Sequence, residues 1–451
     1  MKTNLLTGNI TRSLLIFAVP ILLSNIFQQL YNTVDMVIVG HYLGETSLAA
    51  VGACAVIFEL LIGFAIGISR GFSIVVARNY GADNQDMFKR SVAGSVAVGI
   101  IVTLFASITA TLFMMTLLKL INVPAYIIDT AYSYISLLAA FSIVTFTYNL
   151  CAGLLHAIGN STMPFVFLVI SSILNIIFDV IFITSFNMGV RGAAVATVAA
   201  QSISTTLCLV YIFKRCPILI PNKKHFRYDA ALYKEIITQG FSMGFMLSLV
   251  YMGSVTLQRA INGLGYLVIA GHIAARKINS FCMMPMNTIA IAASTIVSQN
   301  KGANQLSRIR KVVRYGNFIT VTWGAFITLV LMFSSAVLIR LLSGSNESVI
   351  IENGSRYLMI NSPFYIVLGM LFNFRLALQG IGKKIVPLIS SVIEFIGKIL
   401  FAFLLVPVLG YFGVIICEPI IWCLMFLQLL YSFYTNPYIR GKTPQSLYFK
   451  H

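Results

Sequence analysis

Five acidic residues lie inside stretches of the chain that are otherwise apolar, and they are the residues most able to do chemistry. They are Asp35, Glu59, Asp179, Glu394 and Glu418. A charge at the centre of a lipid bilayer costs on the order of 3 kcal/mol. If these stretches cross a membrane, each acid therefore needs a structural or a functional reason.

Spacing places polar partners beside two of these acids. In the segment "SSILNIIFDVIFI", Asn175 precedes Asp179 by four residues, so the two side chains share one face of a helix. Asp35 has Tyr31 and Gln28 on its own face. Carboxylate and amide oxygens can hold a small hard cation, and two carboxyl groups that meet can share one proton.

The composition indicates that these helices cross a membrane. Of 451 residues, 58% are hydrophobic and 10% are charged, and the mean hydropathy is +0.90. Apolar runs of about 20 residues, long enough to cross a hydrocarbon core about 30 Å thick, recur along the whole chain. The first run continues to Val39 with no cleavage-site pattern, so we expect it to be retained as a span.

We predict an all-α polytopic membrane protein with twelve transmembrane helices. The predicted spans are 14–39, 48–76, 91–118, 130–155, 163–185, 192–213, 236–260, 267–299, 316–342, 357–380, 385–408 and 411–434. With twelve spans both termini lie on one side, which carries 21 of the 31 lysines and arginines, against 4 on the other side and 6 in or beside spans. Because cytoplasmic loops carry such an excess, both termini are expected in the cytoplasm. The net charge of +18 reflects this bias and not a nucleic-acid surface.

The chain contains two copies of one pattern. A shift of 221 residues places "ARNYGADNQDMFKR" (77–90) over "SQNKGANQLSRIRK" (298–311). A shift of 223 residues places "AIGNSTMP" (157–164) over "GIGKKIVP" (380–387). Each copy has six spans, so the copies should enter the membrane in the same sense and be related by an axis along its normal.

This repeat predicts two lobes and a connection. The N-terminal lobe covers residues 1–213, a cytoplasmic linker covers 214–235, and the C-terminal lobe covers 236–451. Two parallel six-helix lobes are the arrangement expected of a secondary transporter, with ligand sites near the middle of the membrane.

The order of the landmarks resembles the MATE family of multidrug and toxic compound extrusion transporters. The segments that carry the resemblance are "FAVPILLSNIFQQLYNTVDMVIVGHYLGETSLAA", "YGADN", "AGLLHAIGNSTMP" and "MGVRGAAVATVAAQ". The chain is most similar to the prokaryotic DinF-like branch. The resemblance implies a MATE/MOP-type fold whose two six-helix lobes open alternately to each side, and export driven by entry of H⁺ or Na⁺.

The resemblance also implies a coupling site in the N-terminal lobe. The DinF-like pattern sets an aspartate of span 1 against an Asn-x-x-x-Asp pair in span 5 and a threonine in span 6, and these positions read Asp35, Asn175, Asp179 and Thr197 here. The alternative is that both aspartates are structural, satisfied by helix ends or buried water. By the same resemblance Pro20 would let span 1 bend, and a static kink is the alternative.

The C-terminal copy lacks this set of residues. At the positions that correspond to the two aspartates it has Thr256 and Ala402. Glu394 lies one helical turn from Lys398 and is expected to form a self-neutralised ion pair, which is more typical of structure than of coupling. Glu394 and Glu418 together could form a coupling site of another type. The other MATE branch has its coupling acids in spans 7 and 10, which contain none here.

Aromatic and amide side chains of spans 1 and 4 suit an amphipathic organic cation, through apolar burial, cation–π contact and one charge. The alternative for such residues is helix packing. The predicted substrate-binding residues are Phe27, Gln28, Tyr31, Asn32, Tyr148 and Asn149.

Together these features predict a monomeric multidrug efflux transporter of the cell membrane, which exchanges small organic cations for H⁺ or Na⁺ by alternating access. No cofactor, resident metal or nucleic-acid partner is expected, since cysteines and histidines show no CxxC or HxxxH spacing. The alternative is a flippase of the same superfamily for lipid-linked oligosaccharides or peptidoglycan precursors, which would bind an anionic headgroup. A membrane-bound transferase would need a clustered acid–base or metal constellation, so we expect no enzyme.

Overall fold

A computed structural model describes residues 3–441, and within this range the chain is helical with no β-strand. The α-helices are α1 (Ile10–Gly81), α2 (Gln85–Leu120), α3 (Ala125–Ala140), α4 (Ser142–Ala157), α5 (Thr162–Val180), α6 (Val190–Arg215), α7 (Ala230–Asn262), α8 (Tyr266–Gly302), α9 (Leu306–Ser343), α10 (Ser348–Asn361), α11 (Tyr365–Gly380), α12 (Ile385–Leu400), α13 (Val406–Leu409) and α14 (Tyr411–Thr435). Five-residue π-helical turns at Ile181–Ser185 and Phe401–Leu405 follow α5 and α12. Three short 3₁₀ turns lie at Pro217–Leu219, Lys223–Phe226 and Ser362–Phe364.

The described helices account for twelve crossings. Ten helical segments are long and apolar enough to cross a membrane, and α3 with α4 forms a further span bent by 45°. One of the ten, α1, has 72 residues and would be about 110 Å long if straight, far more than one crossing needs. It breaks at Gly44 (φ 80°, ψ 177°), between the first and second predicted spans. The predicted all-α membrane fold is confirmed.

Backbone turns recur at the offset that the sequence repeat predicts. Positive φ angles occur in matched pairs, at Gly44 and Gly265 (80° and 94°), Asp83 and Asn304 (54° and 56°), and Gly189 and Gly410 (60° and 57°). Glycine adopts positive φ without strain, and aspartate and asparagine tolerate it better than most residues. Matched residues therefore make matched turns, and the structure confirms the repeat.

The described chain divides into two compact units. The first comprises residues 3–4 and Val19–Phe245, and the second comprises Leu5–Ala18 and residues 246–441. The helix α1 passes from the second unit to the first between Ala18 and Val19.

This division differs from the predicted limits of the lobes. The predicted linker, 214–235, and the first half of α7 belong to the first unit. The limits 1–213 and 236–451 stay a prediction, as do the orientation of the termini and the axis between the lobes. Residues 1–2 and 442–451, with three of the counted lysines, lie outside the described residues.

Ion pairs and close helix contacts attach the linker and α7 to the first unit. Arg78 of α1 pairs with Glu235 of α7 at 2.5 Å, and Arg90 of α2 pairs with Asp229 at 3.3 Å. A Cβ atom added to Gly67 would lie 2.5 Å from the backbone oxygen of Met243. Glycine therefore permits the backbones of α1 and α7 to touch at this level.

Candidate ion-coupling site and the neighbouring cavity

Two carboxyl groups meet inside the first unit. Asp35 lies in the first pass of α1, and Asp179 is the last but one residue of α5. Their side chains are buried, with 9% of Asp35 and 0% of Asp179 exposed. The two carboxyl groups lie close enough to interact with one another electrostatically. One proton or one small cation can therefore be held between them.

Several buried polar atoms at this place have unsatisfied hydrogen-bonding capacity. Neither oxygen of Asp179, neither side-chain atom of Asn175, nor Oδ1 of Asp35 has a hydrogen-bond partner. Among residues 3–441, no lysine or arginine forms an ion pair with either aspartate. Buried polar atoms in proteins are nearly always bonded, so this group is unusual. Its four oxygens, from Asp35, Asn175 and Asp179, are the kind of atoms that can accept a proton or bind a small hard cation.

The sequence of α5 explains how Asp179 and Asn175 come to share this place. The helix turns its polar residues, Ser171, Ser172, Asn175 and Asp179, to its buried side and leaves Ile173 and Ile177 exposed. Directly after Asp179 the chain widens into the π-helical turn Ile181–Ser185. π-helical turns are rare in proteins overall, and those that occur are often found at functional sites.

A cavity of about 80 Å³ adjoins these residues, between α1, α4, α5 and α6. Asn175 and Thr197 both line it, so two members of the predicted coupling set meet there. Five of the six predicted substrate-binding residues also line it, namely Gln28, Tyr31, Asn32, Tyr148 and Asn149. Phe27 does not; its ring packs edge-on against Phe165, with 5.9 Å between the ring centroids.

Sequence analysis missed four residues of this site. Thr145 of α4 donates a short hydrogen bond to the side-chain oxygen of Gln201, and Gln201 also bonds the hydroxyl of Tyr31. Gln201 and Ser204 line the cavity four and seven residues after Thr197, so helical spacing could have revealed them. Tyr134 of α3 lies within Coulombic range of both aspartates. No sequence signal indicates it, because its position depends on how α3 packs.

Pro20 lies inside α1, two residues after the helix passes between the compact units. The hydroxyl of Ser24 donates to the backbone oxygen of Pro20 at 2.8 Å. Helical backbone angles continue through Pro20, since Gly44 is where α1 departs from them. The hinge role of Pro20 therefore stays a prediction.

The acids of the second unit have cationic partners. Lys398 Nζ lies 2.9 Å from Glu394 Oε1, and Arg375 Nη1 of α11 lies 3.8 Å from Glu394 Oε2. Lys398 also donates to the hydroxyl of Ser254 at 3.1 Å. The three charged side chains are each at most 10% exposed. The predicted neighbours Glu394 and Lys398 thus form an ion pair with an additional arginine.

Glu418 is held by a different set of residues from the one that the sequence suggested. Its Oε1 accepts from Arg276 Nη1 of α8 at 2.5 Å, and its Oε2 accepts from the Tyr357 hydroxyl of α10 at 2.7 Å. Glu418 forms no ion pair with Lys398 among the described residues. Sequence spacing finds partners one turn apart on one helix, but Arg276 and Glu418 are 142 residues apart.

Comparisons with known proteins agree with this fold. A model of the MatE family matches residues 20–181 and, a second time, residues 243–404. The chain is 28% identical over 392 residues to the probable multidrug resistance protein YoeA of Bacillus subtilis, covering 85% of this chain and 84% of that protein. It is 24% identical over 310 residues to the DNA damage-inducible protein F of Escherichia coli, covering 66% of this chain and 65% of that protein. The crystal structure of MATE in complex with MaL6 superposes with a TM-score of 0.90 at 22% identity, covering 98% of this chain and 99% of that one.

Proposed function

Since this chain belongs to the MatE family, we propose that it exports amphipathic organic cations across the cell membrane in exchange for H⁺ or Na⁺. The membership predicted from sequence, in the prokaryotic DinF-like branch, is confirmed by the double family match and by the likeness to the DNA damage-inducible protein F. Several relatives are named multidrug resistance or export proteins, which supports efflux of drugs.

The observation that carries the proposal is the contact between Asp35 and Asp179. Burial and like charge both disfavour two adjacent carboxylates, and no described cation compensates them. A proton or Na⁺ binding there removes this cost. Asn175 and Thr197 supply an amide oxygen and a hydroxyl at the adjoining cavity, which suits Na⁺ as well as H⁺.

Exchange then follows from competition for the same charge. In the outward-facing form H⁺ or Na⁺ binds Asp35 and Asp179, the attraction for a cationic drug falls, and the drug leaves. The protein returns inward with the ion bound, and bending of α1 at Pro20 accompanies the return. Each elementary charge that moves inward yields about 2.3 kcal/mol per 100 mV. That corresponds to a concentration ratio of about 50-fold for a neutral substrate.

The cavity supports a substrate that is both apolar and cationic. Tyr31 and Tyr148 present aromatic faces for cation–π contact, and Gln28, Asn32 and Asn149 present amides. Phe27 stands beside this lining rather than in it, so any contact with substrate would come from a larger molecule.

The remaining parts of the proposal concern surroundings and partners. The protein acts as a monomer in the bilayer with both termini in the cytoplasm, uses no cofactor beyond the coupling ion, and binds small molecules rather than nucleic acid. Transport and not catalysis is its activity. A flippase for lipid-linked precursors is the second candidate, because Arg276, Arg375 and Lys398 place three positive charges within the spans of the second unit.

Ethidium transport in everted membrane vesicles tests the proposal. A pH gradient and a Na⁺ gradient are imposed separately, and Asp35→Asn is compared with the wild type. We expect at least a tenfold loss of ion-driven transport, because the variant cannot hold the ion between two carboxyl groups. Asp129→Asn, which makes the same change at an exposed position of α3, is the matched control. Normal ion-driven transport by Asp35→Asn would show that the coupling site lies elsewhere.

A further inference from the structure

A cavity in the second unit is lined by an arginine and by the glutamate that pairs with it. It encloses about 60 Å³ between α7, α8, α10 and α14, and its lining includes Ser254, Gln258, Arg276, Tyr357 and Glu418. Arg276 lies about 15 Å along the axis of α8 from its first residue, near the middle of a span. At that depth an N–H group without a partner is costly, so the arrangement of the Arg276 nitrogens matters.

Arg276 is fixed through one of its three nitrogens. Nη1 donates to Glu418 at 2.5 Å and to the Tyr357 hydroxyl at 3.4 Å. Among residues 3–441, no acceptor binds Nε or Nη2. The side chain remains 38% exposed. The edge formed by Nε and Nη2 is one that binds a carboxylate through two parallel hydrogen bonds, and it is already oriented.

The charges around the cavity favour an anion. Arg276 and Glu418 line the cavity and pair with one another, whereas Arg375 and Lys398 both contact a single carboxylate, that of Glu394. Among these three buried residues, one positive charge therefore has no described counter-charge of its own. Lys398 donates to the hydroxyl of Ser254, which lines the cavity, so this positive charge reaches the cavity wall. A buried charge without a counter-charge is unfavourable, and an anionic ligand would relieve it.

We propose that this cavity binds the carboxylate group of a transported amphipathic compound, through Nε and Nη2 of Arg276. A water molecule occupies about 30 Å³ in the liquid, so 60 Å³ admits a carboxylate but not a whole drug molecule. The rest of the compound must lie outside the cavity. The inference rests on the proposed function in one respect, that the carboxylate belongs to a transported compound.

Two dyes that differ in one group test the proposal on the purified full-length protein. Rhodamine 110 has a free carboxylate, and rhodamine 123 is its methyl ester. Fluorescence polarisation should show that rhodamine 110 binds about tenfold more tightly. Arg276→Lys keeps a positive charge beside Glu418 but loses the two-nitrogen edge, so it should weaken rhodamine 110 about tenfold and change rhodamine 123 less than twofold. The double variant Arg276→Gln/Glu418→Gln, which removes one positive and one negative charge, should change the affinities for the two dyes in the same way. It provides the test if Arg276→Lys folds poorly.

Benzoate tests the site independently of any dye. It should raise the Tm of the wild type but not that of either variant, and it should displace rhodamine 110 but not rhodamine 123. If benzoate binds through Arg276 and neither dye binds, the carboxylate site stands and the proposed drug transport fails. If rhodamine 123 is bound and transported while benzoate and rhodamine 110 show no dependence on Arg276, drug transport stands and the carboxylate site is overturned. Displacement of benzoate by an equal concentration of chloride would assign the site to a free inorganic anion, and would equally overturn the proposal.

Discussion

The two units bury acids in opposite ways. In the first unit Asp35 and Asp179 lie close to one another, five polar atoms of these two residues and Asn175 have no hydrogen-bond partner, and no described cation pairs with either aspartate. In the second unit Glu394 and Glu418 each lie against at least one cation. A charge that is already paired holds helices together, whereas a carboxyl group without a partner is available to an ion. The two copies of the repeat therefore differ at these positions: the C-terminal copy has Thr256 and Ala402 where the N-terminal copy has Asp35 and Asp179, and its own buried acids are paired with cations.

The largest effect that this comparison predicts is a loss of stability. Glu394→Gln leaves Arg375 and Lys398 buried without a counter-charge, so we expect the free energy of unfolding to fall by about 3 kcal/mol. Asp179→Asn is the matched change in the first unit. It breaks no described ion pair and removes like-charge repulsion, so stability should be unchanged or higher. Thermal unfolding in detergent measures both. Equal losses of Tm in the two variants would mean that the first pair is as structural as the second.

The fold was predictable from sequence because hydrophobic length and glycine-containing turns are local signals. Apolar runs predicted the twelve crossings, and the repeated segments predicted the shift of 221 residues at which the turns at Gly44 and Gly265 recur. The spacing of Asn175 and Asp179 likewise indicated one buried helix face. Each of these inferences uses residues that are neighbours along one helix or at one turn.

Contacts between helices that are distant in sequence were harder to predict from the sequence. Sequence analysis counted Arg276 only among the six lysines and arginines in or beside spans, yet it is the partner of Glu418, because their distance depends on how separate helices pack. Tyr134 was missed for the same reason. The division of α1 between the compact units, beside Pro20, also depends on packing rather than on any local pattern.

A milder variant examines whether the ion pairs of the second unit are structural. Lys398→Met removes one of the two cations that contact Glu394 and leaves Arg375 to compensate it. We therefore expect a change in unfolding free energy of less than about 1.5 kcal/mol, because one balanced pair remains. Ion-driven ethidium transport should stay within about twofold of the wild type. A tenfold loss of transport at normal stability would instead place Lys398 in the coupling mechanism, and the contrast between the units would fail.

The smallest expected effect separates the two coupling ions. Thr197 lines the same cavity as Asn175, and its hydroxyl can serve as an oxygen ligand for Na⁺, whereas a proton shared by Asp35 and Asp179 has no need of it. Thr197→Val keeps the shape and removes the oxygen. If Na⁺ is the coupling ion, the Na⁺ concentration for half-maximal transport should rise about three- to tenfold while proton-driven transport is unchanged. If H⁺ is the coupling ion, the variant should match the wild type under a pH gradient, with no response to Na⁺ in either protein. Equal impairment under both gradients would mean that Thr197 supports the packing of α5 on α6 instead of binding the ion. Thr197→Ser checks this outcome, because it restores the oxygen without the methyl group. If the role of Thr197 is packing, Thr197→Ser should fail to rescue transport.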